Sequence, residues 1–207
     1  MGMTTTHLPS TDASNDRDAA RRARIRVPLK TPSGIFGRIV MWYSRRSFGD
    51  VPDPAYVMSH HPGVLKATLS YEGKVAKWDA LDADLKNLAQ LASAASIGCT
   101  WCMDFGYFAA LSKGQSVEKL AEVPRWRESD VFTPLERDVI AFAEAMTATP
   151  PEVTDAMVDG LVAGLGVPAV VELTKMVAVE NERSRFNSAL GLTSQGFSDR
   201  CELAPPR

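Results

Sequence analysis

Beyond residue 30 the apolar residues recur at helical spacing. Leu81, Leu85, Leu88, Leu91, Ala92 and Ala95 fall three and four apart, the period of one buried helical face. An earlier run, Val64, Leu65, Leu69, Val75 and Trp78, is also helical. Ile97-Gly98 interrupts the pattern, and a new helix begins around Cys99, continues through Phe105, Phe108, Ala109 and Leu111, and meets a stop at Gly114. Ser116 caps a short helix, Val117 to Glu122. In Thr133-Pro134-Leu135-Glu136 the threonine caps, the proline suits the first helical position, and the glutamate closes a capping box. That helix carries Val139, Ile140, Phe142, Ala143 and Met146 and stops before Pro150-Pro151. Thr154 caps the next, through Met157, Val158, Leu161 and Val162, which Gly164 and Gly166 end. Pro168 starts a long last helix that runs to Leu190. No segment sustains two-residue alternation, so the expected fold class is all-α, a compact helical bundle.

Composition narrows the function classes. The chain has 207 residues, 45% hydrophobic and 23% charged, which is enough for one domain with a sizeable core. A net charge of -2 argues against a dedicated nucleic-acid binder. The opening residues are polar, carry Asp12, Asp16 and Asp18, and contain no apolar run, so they read as neither a secretory nor a mitochondrial leader. The basic run Arg17, Arg21, Arg22, Arg24, Arg26 and Lys30 reads as a solvated tail rather than an arm for an anionic partner. The expected layout is a disordered tail over 1–30, one domain over 31–200 and a C-terminal tail over 201–207. The most apolar stretch, Leu161 to Val179, is broken by Gly164, Gly166, Pro168, Glu172 and Lys175, too often for a membrane span. The aromatic segment Ile35 to Tyr43, followed by Arg45 and Arg46, is expected to pack on the core or a subunit partner rather than lie on a membrane. The expectation is a soluble, cytoplasmic protein with no membrane and no nucleic-acid partner.

The chemistry lies in Cys99-Thr100-Trp101-Cys102. Three cysteines are too few for a disulfide scaffold, and the three histidines lie far from the pair. Two cysteines separated by two residues at a helix start can close a reversible disulfide. The helix amino end favours the thiolate, which is the nucleophile. Peroxide reduction is one use of such a pair, with one cysteine passing through a sulfenic acid that the other resolves. Two other readings stay open: a pair of small buried apolar residues, and half a zinc site completed by a second chain. The helical context argues against a thioredoxin, because that fold needs strands alternating with helices near the motif.

The run Ala95-Ser96-Ile97-Gly98-Cys99-Thr100-Trp101-Cys102-Met103-Asp104-Phe105-Gly106 resembles the carboxymuconolactone decarboxylase-like family in its alkylhydroperoxidase D-type (AhpD-like) branch. Phe132-Thr133-Pro134-Leu135-Glu136-Arg137 with Ala143 to Thr147 resembles it too, as do Glu172-Leu173-Thr174, Glu180 to Asn187, and Ser194-Gln195-Gly196-Phe197. The resemblance covers about residues 55 to 200. It implies an AhpD-like helical bundle, usually a homo-oligomer, that reduces hydroperoxides or disulfides. By that resemblance Cys102 attacks peroxide and Cys99 resolves. A small hydroperoxide or disulfide is then the substrate and a thiol the electron donor, with no metal and no organic cofactor. The family's peroxidases relay protons through a glutamate before the pair and a histidine after it. Here those positions hold Asn87 and Gly106. Activation of Cys102 is then expected from the helix end, from Asp104 or from residues elsewhere.

Asp104 can shuttle a proton as a general base or serve the first turn as a helix-dipole partner. His60 and His61 precede Pro62 and can supply a base if their loop folds over the pair. Trp101 is expected to pack. Glu180, Asn181, Arg183, Arg185 and Asn187 form a polar cluster that bridges helices or subunits, with Glu180 as its candidate for catalysis. Cys201 is expected to be a free surface thiol. The alternative functions are a non-redox lyase acting on a small carboxylated compound and an inactive binding oligomer.

Overall fold

The computed structural model describes the backbone of residues 11–200. Among these residues there is no strand, and the chain folds as an all-α bundle. Ten α-helices follow in order: α1 Thr11–Arg24, α2 Gly34–Phe48, α3 Asp53–Met58, α4 Pro62–Val75, α5 Ala83–Ile97, α6 Thr100–Leu111, α7 Val117–Glu122, α8 Pro134–Thr147, α9 Asp155–Leu165 and α10 Val167–Ala189. A short 3-10 segment, Val123–Glu128, lies between α7 and α8, and another, Ser198–Arg200, follows α10. No described helix is long and apolar enough to cross a membrane.

The local signals act where the sequence places them. Thr133 and Glu136 form the full capping box of α8, and Ser116 and Thr154 cap α7 and α9. Such caps contribute about 1 kcal/mol each. Burial contributes more: Leu85, Leu88 and Leu91 of α5 lie in the main core, and a buried leucine contributes about 1.5–3 kcal/mol. Between them Ala89, Ala92 and Ser93 keep that face narrow. The central α5 packs on α8, on α10 and on α6.

Two stretches differ from expectation. Residues 1–10 and 201–207, including Cys201, lie outside the described residues. The tail expected over 1–30 is helical from Thr11 to Arg24. Its Arg21 is buried and pairs with buried Asp53, because a guanidinium removed from water needs a carboxylate. The proline-punctuated approach to α4 is also helical, since Pro54 and Pro62 occupy helix starts, where a missing N–H costs nothing. In α2, Gly37, Val40, Met41 and Ser44 are buried. The other face of that helix, with Ile35, Ile39, Trp42 and Tyr43, is exposed.

Candidate functional site

Gly98 makes the site possible. It ends α5 in the left-handed region, φ 76°, which glycine enters without strain. The chain turns, and Cys99 becomes the N-cap of α6 with Cys102 one turn on. Cys99 and Cys102 are joined as a disulfide, their Cα atoms 5.3 Å apart. Cys99 Sγ accepts the Cys102 N–H at 3.2 Å, so the first cysteine caps the helix that carries the second. Cys99 is 1% exposed and Cys102 7%, in an apolar cluster with Val57, Ala94, Trp101, Leu192 and Phe197.

A second donor reaches the pair from α10. Asn187, buried two helical turns beyond Glu180, donates from Nδ2 to Cys102 Sγ at 3.3 Å. Its Oδ1 is buried without a partner. Ser184, one turn back, donates to Glu180 at 2.7 Å. Glu180 also accepts from Arg183 at 3.2 Å, and Arg183 holds Glu72 of α4 and Gln90 of α5. Burial pushes the Glu180 carboxyl up, against the pull of Arg183 and Ser184. Asn181 and Arg185 both bond to Thr147 on α8, so this cluster bridges helices as expected. One face of α10 therefore carries Glu180, Ser184 and Asn187 in a buried polar line that ends on the sulfur of Cys102.

Asp104 has different work from either role expected of it. Its oxygens accept from the backbone N–H groups of Gln195 at 2.8 Å, Phe197 at 3.1 Å and Ser198 at 2.8 Å, and from Ser198 Oγ at 2.7 Å. Those four donors fill the lone-pair sites of a carboxylate and leave none for a thiol proton. Burial alone would raise this carboxyl, but the bonds from Ser198, Phe197 and Gln195 outweigh it and hold it below the ordinary value. Asp104 is a clamp on the segment 195–198. That segment covers the pair: Phe197 meets Trp101 edge-on at 6.3 Å, and Gln195 Oε1 accepts from Trp101 Nε1 at 3.3 Å. Trp101 packs, stacked on Phe105 at 5.1 Å.

The histidines are engaged elsewhere. His61 caps α4, its Nδ1 accepting the Val64 N–H at 3.2 Å, and His60 Nε2 donates to the Pro28 carbonyl at 2.8 Å. Among the described residues neither bonds to a sulfur. The two substituted relay positions have their own environments. Asn87 keeps a buried Nδ2 without a partner. A Cβ at Gly106 would lie 2.7 Å from Leu91 Cδ2, so the core leucine of α5 occupies the room a longer side chain needs. No three His, Cys, Asp or Glu side chains among the described residues stand together as a metal-binding group. Sequence reasoning placed Asn187 in a helix-bridging cluster and missed its bond to Cys102. The signal available was its position seven residues after Glu180, on the same helical face.

A model of the carboxymuconolactone decarboxylase family matches residues 62–145, which contain both cysteines and the helices on either side of them. The uncharacterized protein YnjA of Escherichia coli (strain K12) is 31% identical over 157 residues, covering 75% of this chain and 86% of YnjA. Among solved structures, an uncharacterized peroxidase-related protein from Ralstonia eutropha JMP134, described as an alkylhydroperoxidase AhpD core, superposes with a TM-score of 0.76 at 15% identity, covering 88% of this chain and 98% of that one. The apo debrominase Bmp8 superposes with a TM-score of 0.71 at 19% identity, covering 84% and 95%. At such identities these two structures speak for the fold.

Proposed function

The chain belongs to the carboxymuconolactone decarboxylase family, and from that premise and its site we propose that it is a thiol oxidoreductase that cycles between a Cys99/Cys102 dithiol and their disulfide. The observation that carries the reading is the pairing of the two sulfurs at the amino end of α6, with an amide N–H directed at each. Those donors and the helix end stabilise a thiolate as attacking and as leaving group.

With a hydroperoxide as substrate, the Cys102 thiolate attacks the terminal oxygen and the O–O bond breaks. The alkoxide leaves, takes a proton and becomes the alcohol, and Cys102 is left as a sulfenic acid. The Cys99 thiolate attacks that sulfur, hydroxide leaves as water on protonation, and the disulfide closes. A dithiol protein or small thiol then supplies two electrons and two protons to reopen it. The greater exposure of Cys102 supports its role as the attacking residue. With Asn87 and Gly106 in place of an acid and a base, what serves Cys102 directly is the amino end of α6 and the Asn187 amide, which stabilise its thiolate.

The test is a count of free thiols in the reduced protein before and after one equivalent of tert-butyl hydroperoxide, with the product mapped by mass spectrometry. The expected product is a Cys99–Cys102 disulfide with Cys201 still free. Failure of that disulfide to form, or turnover that survives Cys102→Ser, overturns the reading.

A further inference from the structure

The outer face of α2 is unusual for a surface helix. Ile35 is 71% exposed, Ile39 57%, Trp42 67% and Tyr43 56%. They recur at helical spacing along one side, while the opposite side packs on the protein through Gly37, Val40, Met41 and Ser44. Scattered exposed apolar residues are ordinary, but a contiguous aliphatic and aromatic stripe marks a contact surface.

Charge says what kind of contact. Arg38, Arg45 and Arg46 are exposed beside the stripe and, with Trp42 and Met41, line an open groove of about 600 Å³. Lys66 of α4 lies over the Phe36 ring at 5.4 Å. No acidic residue occurs from Gly34 to Phe48. At the amino end of α2 Ser33 makes no side-chain cap bond, so the positive pole of the helix adds to the arginines. The first 50 residues hold nine Lys and Arg against four Asp, while the rest of the chain holds 14 against 21. The first 50 residues therefore carry a net positive charge, and Arg38, Arg45 and Arg46 of that stretch are exposed on the helix that carries the apolar stripe.

We propose that the α2 face docks on an anionic lipid bilayer, with Ile35, Ile39, Trp42 and Tyr43 entering the headgroup boundary and Arg38, Arg45 and Arg46 meeting lipid phosphates. A helix with aromatic and aliphatic residues on its outer face and arginines beside them has the chemistry of an interfacial helix. The absence of a spanning segment does not bear on such a helix, because it lies in the surface, and the proposal departs from the expectation of core or subunit packing because Ile35, Ile39, Trp42 and Tyr43 stay exposed. Pairing α2 with α2 of a second copy fits less well. It would bring three arginines from each copy into one short interface that contains no acid.

The position of the helix adds to the inference. Tyr43 meets Phe48 at 6.2 Å, Phe48 meets Phe105 at 5.2 Å, and Phe105 stacks on Trp101, which lies between the two cysteines. A line of aromatic rings thus runs from the exposed stripe to the disulfide helix. The docking surface stands beside the redox pair whatever substrate that pair takes.

The test is co-sedimentation of the full chain with phosphatidylglycerol/phosphatidylcholine vesicles and with pure phosphatidylcholine vesicles, alongside Trp42 emission and sedimentation velocity without lipid. Binding to the anionic vesicles alone is expected, weakened at least tenfold by raising salt from 50 to 500 mM, with a blue shift of Trp42. Arg45→Gln/Arg46→Gln should weaken it by about tenfold or more, and Ile39→Gln/Trp42→Gln should abolish it. All four side chains are exposed, and circular dichroism verifies that the variants fold. Equal binding to neutral vesicles, or none to either, overturns the proposal. So does an oligomer that Ile39→Gln/Trp42→Gln dissociates, which would assign the face to a second copy.

Discussion

Replacing Asp104 by Asn leaves the side chain the same shape and changes what it can accept. Oδ2 takes the N–H groups of Gln195 and Phe197, and Oδ1 takes the N–H and Oγ–H of Ser198. In the better orientation of the amide, the remaining oxygen keeps Gln195 and Phe197, and the Ser198 hydroxyl turns to accept from the new NH2. The Ser198 N–H then faces a donor. Losing one hydrogen bond to a charged acceptor costs about 1.5–3 kcal/mol, and the two bonds kept are no longer charge-assisted. The expected loss is about 2–3 kcal/mol at pH 7. For a chain of this length that lowers Tm by roughly 5–10 °C. The pH dependence carries the sign. Asp104 is depressed in the folded state, so its contribution is fully present above the unfolded value near 3.8 and disappears as pH falls through the lower folded value. The Asn variant should therefore lose less stability than the parent between neutral and acid pH. The assay is thermal unfolding of both proteins from pH 3 to 7. It is paired with the alkylation rate of Cys102 in the reduced proteins, which should rise as the 195–198 cover loosens. A Tm unchanged within 1 °C, together with slower alkylation, would refute the clamp and restore Asp104 as a base.

Asn187→Leu removes the amide N–H from Cys102 Sγ together with an unpartnered buried oxygen. Alkylation of Cys102 at neutral pH should fall about ten- to a hundredfold, the equivalent of one hydrogen bond of about 1.5–3 kcal/mol to a charged group, while thermal stability changes little. Glu180 is raised in the folded state by burial, so its ionisation works against folding as pH rises from its unfolded value near 4.5. Glu180→Gln keeps an acceptor for Ser184 and should flatten that fall in a stability profile from pH 4 to 9. Gly106→His should destabilise by about 1–3 kcal/mol because its side chain meets Leu91. In a double-mutant cycle with Leu91→Ala the combined loss should be smaller than the two single losses added, since truncating Leu91 makes the room.

Much of the helical frame was legible because its signals are local. The capping box at Thr133 and Glu136, the break at Gly98 and the period from Leu81 to Ala95 each depend on neighbours within one or two turns. The pairing of Cys99 with Cys102 at the start of α6 was legible for the same reason: one helical turn sets it. The helix α1 within the expected tail was not legible, because what holds Arg21 there is Asp53, 32 residues away. The role of Asp104 escaped in the same way. Its sequence position offered a base beside a thiol, and its four donors come from a segment more than 90 residues on.

By itself, then, the chain determined most of its helices, the turn between α5 and α6, and the residue types that carry dithiol chemistry, since propensity, capping and periodicity act over a few residues. Only the tertiary structure decided what surrounds the sulfurs. Packing α10 against α6 brought Asn187 to Cys102, folding the segment after α10 back over α6 occupied Asp104, and packing one side of α2 on the core left its aromatic side outward. Those contacts join residues far apart in sequence, and a neighbour across the core leaves no periodic trace in either segment.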